Sequence, residues 1–267
     1  SGDVPGLVWA GGNNDFRLSE HEGRLRVVAS EFTFEEGDWI DHTVHVLADS
    51  GAKRLTTIGQ LPNAARPGEI GKPNEALYGV RFFGDRAYLV TFEQIDPLYV
   101  LDLSDPTDPF IAGELEVTGF SDFLHPVSDD LLLGLGQGGE GGVKLELFDI
   151  SDIENPASLS THVLGGRGSF SEAQYDRHAF TYLPGTETDR FAVPADLYSL
   201  DGDFDAFESG LYLFEIRDKA TPSLAQIAEA GSIVIEPGAG NVPWFFGTRH
   251  RSFLNGDTVF YIRDDEV

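Results

Sequence analysis

VRFFGDRAYLVTF (80–92) runs into PLYVLDLSDPTDPFIAGELEV (97–117), and the pattern is written again as LHPVSDDLLLGLG (124–136) and VKLELFDISDIENPASLSTHVL (143–164). Asp102 returns as Asp149 and Asp105 as Asp152, 47 residues on. Each copy holds four short apolar runs rich in β-branched and aromatic residues. Gly-Asp, Asp-Pro or Gly-rich breaks separate them, which is the punctuation of strands. A four-stranded unit cannot bury both faces alone, so units recurring at this period stack on one another. The fold class read from this stretch is all-β, a β-propeller of four-stranded antiparallel blades.

Outward from this pair, the pattern places blades at 16–61, 78–117, 120–164 and 170–230 and part of a fifth at 247–267. The first is FRLS, RLRVVASEF, HTVHVLAD and KRLTTIGQL, with an acidic loop over 34–41 and an Asp49-Ser50-Gly51 hairpin turn. Val44 and Val46 alternate with His45, the pattern of a half-exposed strand. Residues 62–77, with three Pro and two Gly, read as an inter-blade connection. The Gly-rich run 134–142 reads as a hairpin, because a phosphate-cradling loop would have to open a helix. In the fourth unit SEAQYDRHAFTYL (171–183) and RFAVPADLYSL (190–200) read as inner strands, 201–209 as an insertion and 231–246 as a connection. Leu7 to Ala10 offer one further strand. Closing a ring needs two more, so either Leu7 to Ala10 completes a five-bladed ring or, as the missing strand favours, residues 1–267 are a segment of a larger propeller that a second chain or segment completes.

The formal charge is −27, from 45 acidic and 18 basic residues. Such a surface repels phosphate backbones and anionic lipid headgroups, which excludes nucleic acid as the expected partner. No apolar run approaches the ~18 residues of a membrane-crossing helix. The chain has no Cys, so disulfides, thiolate metal sites and Cys nucleophiles are excluded. It has no leader-like segment and does not begin with Met, the appearance of a mature or trimmed product.

Residues 81–136, with VKLELFDISDIENP, GRGSFSEAQYDRHAF and RHRSFLNGDTVFYI, resemble the β-propeller domain of secreted bacterial and archaeal proteins distantly related to WD-repeat proteins. The resemblance implies an exported propeller, extracellular, periplasmic or attached to the cell envelope, with further blades on the amino-terminal side. It implies no catalytic set.

Two constellations could carry chemistry. Asp201, Asp203, Asp205 and Glu208 place alternate carboxylates in one short stretch, hard oxygen ligands suited to Ca²⁺. The full EF-hand pattern is not met, since Ala206 follows the third acid. Arg81, His125, His178 and Arg251 align at equivalent positions of the blades' first strands, so a common axis would gather them at a channel rim. There they would form an anion site or, through the histidines, a transition-metal site. No catalytic residue is assigned, and Asp102 and Asp149 read as turn-forming caps. The expected function is an acidic binding scaffold, Ca²⁺-stabilised, with a protein or polysaccharide partner. The competing class is a hydrolase or metal-dependent enzyme at the channel rim.

Overall fold

Among the described residues eighteen strands run in chain order, and every described sheet is antiparallel with neighbours in sequence adjacent in space. The computed structural model describes residues 1–8, 16–35, 38–92, 96–199, 207–235 and 249–263. The first sheet is β1 (Leu18–His21), β2 (Arg24–Glu35), β3 (Asp38–Asp49) and β4 (Leu55–Leu61). The second is β5 (Ala76–Phe83), β6 (Arg86–Phe92), β7 (Asp96–Asp102) and β8 (Phe110–Val117). The third is β9 (Phe120–Pro126), β10 (Leu131–Gln137), β11 (Val143–Asp149) and β12 (Ala157–Leu164). The fourth is β13 (Thr181–Leu183), β14 (Asp189–Tyr198), β15 (Phe207–Arg217) and β16 (Gln226–Ile235), and β17 (His250–Asn255) pairs with β18 (Thr258–Arg263). The chain forms two compact units, residues 1–126 with 150–157, and 127–149 with 158–267.

In the first unit an apolar cluster joins two blades: Val28, Val44 and Leu61 of the first meet Leu77, Leu89 and Leu101 of the second. Each such side chain contributes about 1.5–3 kcal/mol on burial. The fourth strands carry a repeated device. The ladder skips Ile58 just before Gly59 in β4 and Ala112 just before Gly113 in β8, and each bulge brings its glycine against the turn that follows. A Cβ on Gly59 would stand 2.1 Å from the Pro106 carbonyl oxygen, and one on Gly113 would stand 2.3 Å from that of Ile153. Both oxygens belong to Asp-Pro or Asp-Ile turns. Asp105 accepts from the Thr107 N–H at 2.9 Å and Asp152 from the Glu154 N–H at 3.0 Å. Asp102 caps in the same way, accepting from the Ser104 N–H at 2.8 Å. Between first strands the approach is equally close, since a Cβ on Gly79 would stand 2.6 Å from the Ser121 carbonyl oxygen of β9.

In the second unit β10 and β11 are buried along nearly their whole length. One face of β11 is apolar, while the other carries Lys144 and Glu146 as a buried ion pair at 2.8 Å, with the Ser158 hydroxyl donating to Glu146 at 2.6 Å. Phe191 and Phe214 stack at 5.2 Å in the fourth sheet, and β17 lies along β13 through the Thr181 and Ser252 side chains.

Four local expectations are corrected. The acidic stretch 34–41 is not a separate loop: β2 continues to Glu35 and β3 begins at Asp38, giving the longest hairpin of the described chain. His42 and His45 are 3 % and 1 % exposed, so β3 is buried on both faces there, not half-exposed. Residues 172–179 form two 3₁₀ turns, leaving only 181–183 of the expected strand. Ser171 caps the first through a reciprocal box with Gln174, and Asp176 caps the second by accepting from the His178 N–H. Finally, residues 231–235 belong to β16, with a third bulge at Ala230 before Gly231, not to a connection.

Candidate functional site

The four rim candidates are held in two different ways. In the first unit, Arg81 on β5 places its guanidinium 4.3 Å from the centre of the Phe16 ring. Phe16 meets Phe123 at 5.9 Å, and Phe123 meets the His125 ring of β9 at 6.3 Å. Two phenyl rings thus link the basic pair. In the second unit, Arg251 on β17 donates to Glu172 at 2.8 Å and to Asp176 at 2.6 Å, while Asp176 accepts from His178 Nδ1 at 2.8 Å. One carboxylate therefore joins Arg251 and His178. His178 lies in a 3₁₀ turn, not a first strand, so its alignment with Arg81, His125 and Arg251 is broken locally.

The electrostatics follow from these bonds. The hydrogen bond that Arg251 donates to Glu172 chiefly holds the guanidinium above its ordinary pKa. For Asp176, burial pushes the carboxyl upward, but the His178 backbone and ring bonds and the Arg251 charge outweigh it and hold the pKa below the usual value. The pair Asp176 and Arg251 is thus a stable ion pair at neutral pH. Among the described residues no three His, Asp or Glu side chains gather as a metal centre would need.

Of the acidic-loop candidates, Asp201, Asp203 and Asp205 lie outside the described residues. Glu208 is exposed at the start of β15 and accepts from the Tyr212 hydroxyl at 2.5 Å, which engages one of its oxygens.

Sequence reasoning missed a site at the far end of the first blade's hairpin. A cavity of about 170 Å³ is lined by Glu31, Asp41, His42, Glu69, Ile70 and Lys72, among others. Behind it runs a buried polar chain. Arg17 is 1 % exposed and donates through Nη1 to Ser30 Oγ at 2.9 Å and through Nη2 to the Leu77 carbonyl at 3.2 Å. Burial pulls the Arg17 pKa down to about 10, which leaves it charged at neutral pH. His42 Nε2 meets the Glu75 carbonyl at 2.8 Å, and a carbonyl only accepts, so Nε2 carries the proton. His42 Nδ1 then accepts from Ser30 at 2.8 Å. The Glu75 carboxylate, also buried, accepts from the Thr91 hydroxyl at 2.5 Å and the Lys72 N–H at 2.9 Å. These bonds fix the back of the cavity, and Gly71 with φ +92° lets the chain pass close over His42.

Next to the cavity along both strands stand Phe32 and Trp39, 46 % and 45 % exposed, stacked with ring centres 5.7 Å apart at 14°. Glu31, next to Phe32, was visible only as the acid near the end of the run RLRVVASEF, outside the acidic stretch 34–41. The usable signal was an exposed aromatic on each strand of a hairpin flanked by acids.

Residues 1–267 match the family described as beta propeller domain. An uncharacterized protein of Methanocaldococcus jannaschii is 36 % identical over 169 residues, covering 63 % of this chain and 25 % of the relative. An uncharacterized protein of Archaeoglobus fulgidus is 36 % identical over 212 residues, covering 79 % and 30 % respectively. The chain therefore spans under a third of the length of these curated relatives. No helix among the described residues is long and apolar enough to cross a membrane. With four-stranded antiparallel sheets following one another in chain order and a family match from the first residue to the last, the chain belongs to the beta propeller domain family.

Proposed function

We propose that this chain is a non-enzymatic binding module of an exported protein, and that it takes its ligand at the β2–β3 hairpin of the first blade. The exposed Phe32–Trp39 pair carries this reading. A single exposed apolar side chain is ordinary on a protein surface, but two stacked rings beside a concave site form a rigid contact area at low entropic cost. Such anchors dominate recognition surfaces. The scaffold suits the role, because β2 and β3 are paired from Leu25 to Glu35 and their lower halves are buried in the blade core. Ca²⁺ at Asp201, Asp203, Asp205 and Glu208 is proposed as a stabiliser of this module, not as a catalyst.

The test follows tryptophan fluorescence and the ligand's mass together. A basic tripeptide and a neutral oligosaccharide are titrated into wild type and into Phe32→Ala/Trp39→Ala. The module reading expects a saturable response that the double variant loses, with each ligand recovered chemically unchanged. Turnover of either ligand supports the rim-enzyme alternative, and an identical response in the double variant removes the hairpin from binding.

A further inference from the structure

We propose that β18 and the neighbouring strand β16 dock a further polypeptide segment: a strand with apolar residues at alternate positions that closes on an Asp-x-x-Asp-Pro or Asp-x-x-Asn-Pro turn. None of the residues involved belongs to the β2–β3 hairpin, so this docking place and the binding-module reading stand or fall separately.

The place for the turn is read from the repeat. Gly59, Gly113 and Gly231 hold one register, since each follows the residue that the ladder skips and pairs with the third strand of its sheet, at Val46, Val100 and Leu213. Gly59 and Gly113 are buried. A Cβ on Gly59 would meet the Pro106 carbonyl oxygen and, at 3.1 Å, Pro109 Cδ; one on Gly113 would meet the Ile153 carbonyl oxygen and, at 2.9 Å, Pro156 Cδ. The turns are Asp105-Pro-Thr-Asp-Pro109 and Asp152-Ile-Glu-Asn-Pro156, so the same two groups of one motif fill both seats. Gly231 is exposed, and nothing lies within 4 Å of its Cβ. Two residues beyond the glycine, Leu61 is 1 % exposed and Leu115 is half-buried, whereas Ile233 is 37 % exposed.

The place for the strand is read in the same way. β5 and β6 turn at the pair Phe83 and Arg86, and β17 and β18 at the pair Asn255 and Thr258, each across Gly-Asp. Val259 and Tyr261 therefore match Ala87 and Leu89. Val259 and Tyr261 share an apolar cluster with Ala192 and Leu211 of the fourth sheet, as Ala87 and Leu89 do with Val28 and Val44 of the first. In the second sheet Tyr99, Leu101 and Leu103 extend that contact, with β7 paired along β6. Among the described residues no third strand is paired along β18. On its other face Phe260 and Ile262 are exposed, where their matches Tyr88 and Val90 are buried. A strand added at this edge completes the ladder and brings its turn to Gly231. The turns 105–109 and 152–156, and the related 218–222, each close the third strand of their own sheet, so the occupant is a further segment of this chemistry.

The probe is fluorescein-PLYVLDLSDPTDP-amide, which copies residues 97–109. It is titrated with the protein and read by anisotropy in about 1 M NaCl, where screening within about 3 Å removes the repulsion between an acidic peptide and this acidic chain. The control peptide carries Asp105→Ala and Pro109→Ala. Saturable binding is expected, at least about tenfold weaker for the control peptide, which has lost the turn. Gly231→Ala puts a methyl where the turn must sit and is expected to weaken the peptide at least about tenfold. Because φ +145° also strains an alanine there in the free protein, Ile233→Lys is the second variant. It changes a side chain that is already exposed, so it is expected to melt within about 2 °C of wild type and to lose the peptide. Hydrogen exchange supplies the third reading: amides on the outer edge of β18 are expected to exchange quickly in the free protein and slowly with the peptide bound. Absence of saturable binding, equal binding of the two peptides, or unchanged affinity in both variants overturns the inference. Amides of β18 as slow in the free protein as those of β6 overturn it too, because the chain itself then fills the place. Self-association lost in Ile233→Lys, without peptide binding, assigns the face to a second copy and likewise overturns it.

Discussion

Gly113 shows how tightly one blade is seated on the next turn, and replacing it with alanine measures that seat. The added methyl would lie 2.3 Å from the Ile153 carbonyl oxygen, 2.9 Å from Pro156 Cδ and 3.0 Å from the Glu154 carbonyl oxygen. Ordinary contact begins near 3.5 Å, so the nearest atom is more than 1 Å too close. Two of the three atoms are backbone and the third is a proline ring, so no flexible side chain can move aside. Overpacking costs typically about 1–3 kcal/mol, and clashes with backbone place this site near the top of that range. Reduced freedom of the unfolded chain returns about 0.4–1 kcal/mol, for a net loss of about 2–3 kcal/mol. At about 2–4 °C per kcal/mol, Gly113→Ala is expected to melt about 4–12 °C below wild type by calorimetry. Gly68→Ala is the control, since nothing lies within 4 Å of its Cβ and its φ is ordinary. It is expected to melt at or slightly above wild type. If Gly113→Ala melts within about 1 °C of Gly68→Ala, the following turn does not rest on β8 and the account of blade stacking is wrong.

Three further expectations follow from other parts of the chain. Removing one partner of the buried Lys144–Glu146 pair, as in Lys144→Ala, is expected to cost about 3–5 kcal/mol in urea unfolding, whereas Lys144→Met with Glu146→Leu is expected to be near neutral. His45 is 1 % exposed and desolvation holds its pKa below the ordinary 6.5, so the unfolded chain takes up the proton first as pH falls. The His45 contribution is therefore fully present above about pH 6.5 and is lost as pH drops below it, and His45→Gln should flatten the melting profile in that window. The exposed turn carboxylates Asp105 and Asp152 also have lowered values, but their loss begins only below 3.8, so the two effects separate on a pH series. Saturating Ca²⁺ at a hundred times its Kd is expected to stabilise the protein by about 2.7 kcal/mol, and chelator or Asp203→Ala to abolish the gain; equal melting with and without Ca²⁺ rejects the acidic-loop site.

The blades were legible because their spacing and turn chemistry repeat in one dimension. Asp102 and Asp105 recur as Asp149 and Asp152, and the structure uses Asp102, Asp105 and Asp152 to fold turns, as such residues do locally. The glycine seats were not legible, because Gly59 and Gly113 matter through what the following turn places in front of them. A glycine inside a strand reads alone as a weak point. His45 was misjudged for a related reason: Val44 and Val46 describe one face, which His42 shares and where Ser30 and the Glu75 carbonyl hold it, while His45 on the other face is 1 % exposed and meets the Thr43 hydroxyl at 3.0 Å, a burial that alternation along one strand does not reveal. The cavity itself depends on a cross-strand pairing of Glu31 with Asp41, ten positions apart in the chain, and on an irregular connection that no periodicity describes. His178 aligned with its counterparts by composition, yet two successive capping residues, Ser171 and Asp176, turned the backbone into 3₁₀ geometry before the strand began.

The hairpin assignment meets its most direct test in a fluorine spectrum. The chain has three tryptophans, Trp9, Trp39 and Trp244, so protein grown on 5-fluorotryptophan gives three resonances, with Trp39 identified by its loss in Trp39→Phe. On titration with the basic tripeptide or the neutral oligosaccharide, whichever binds, the Trp39 resonance is expected to move saturably while the other two hold their positions. A Trp39 resonance that stays in place while the ligand binds would contradict the account.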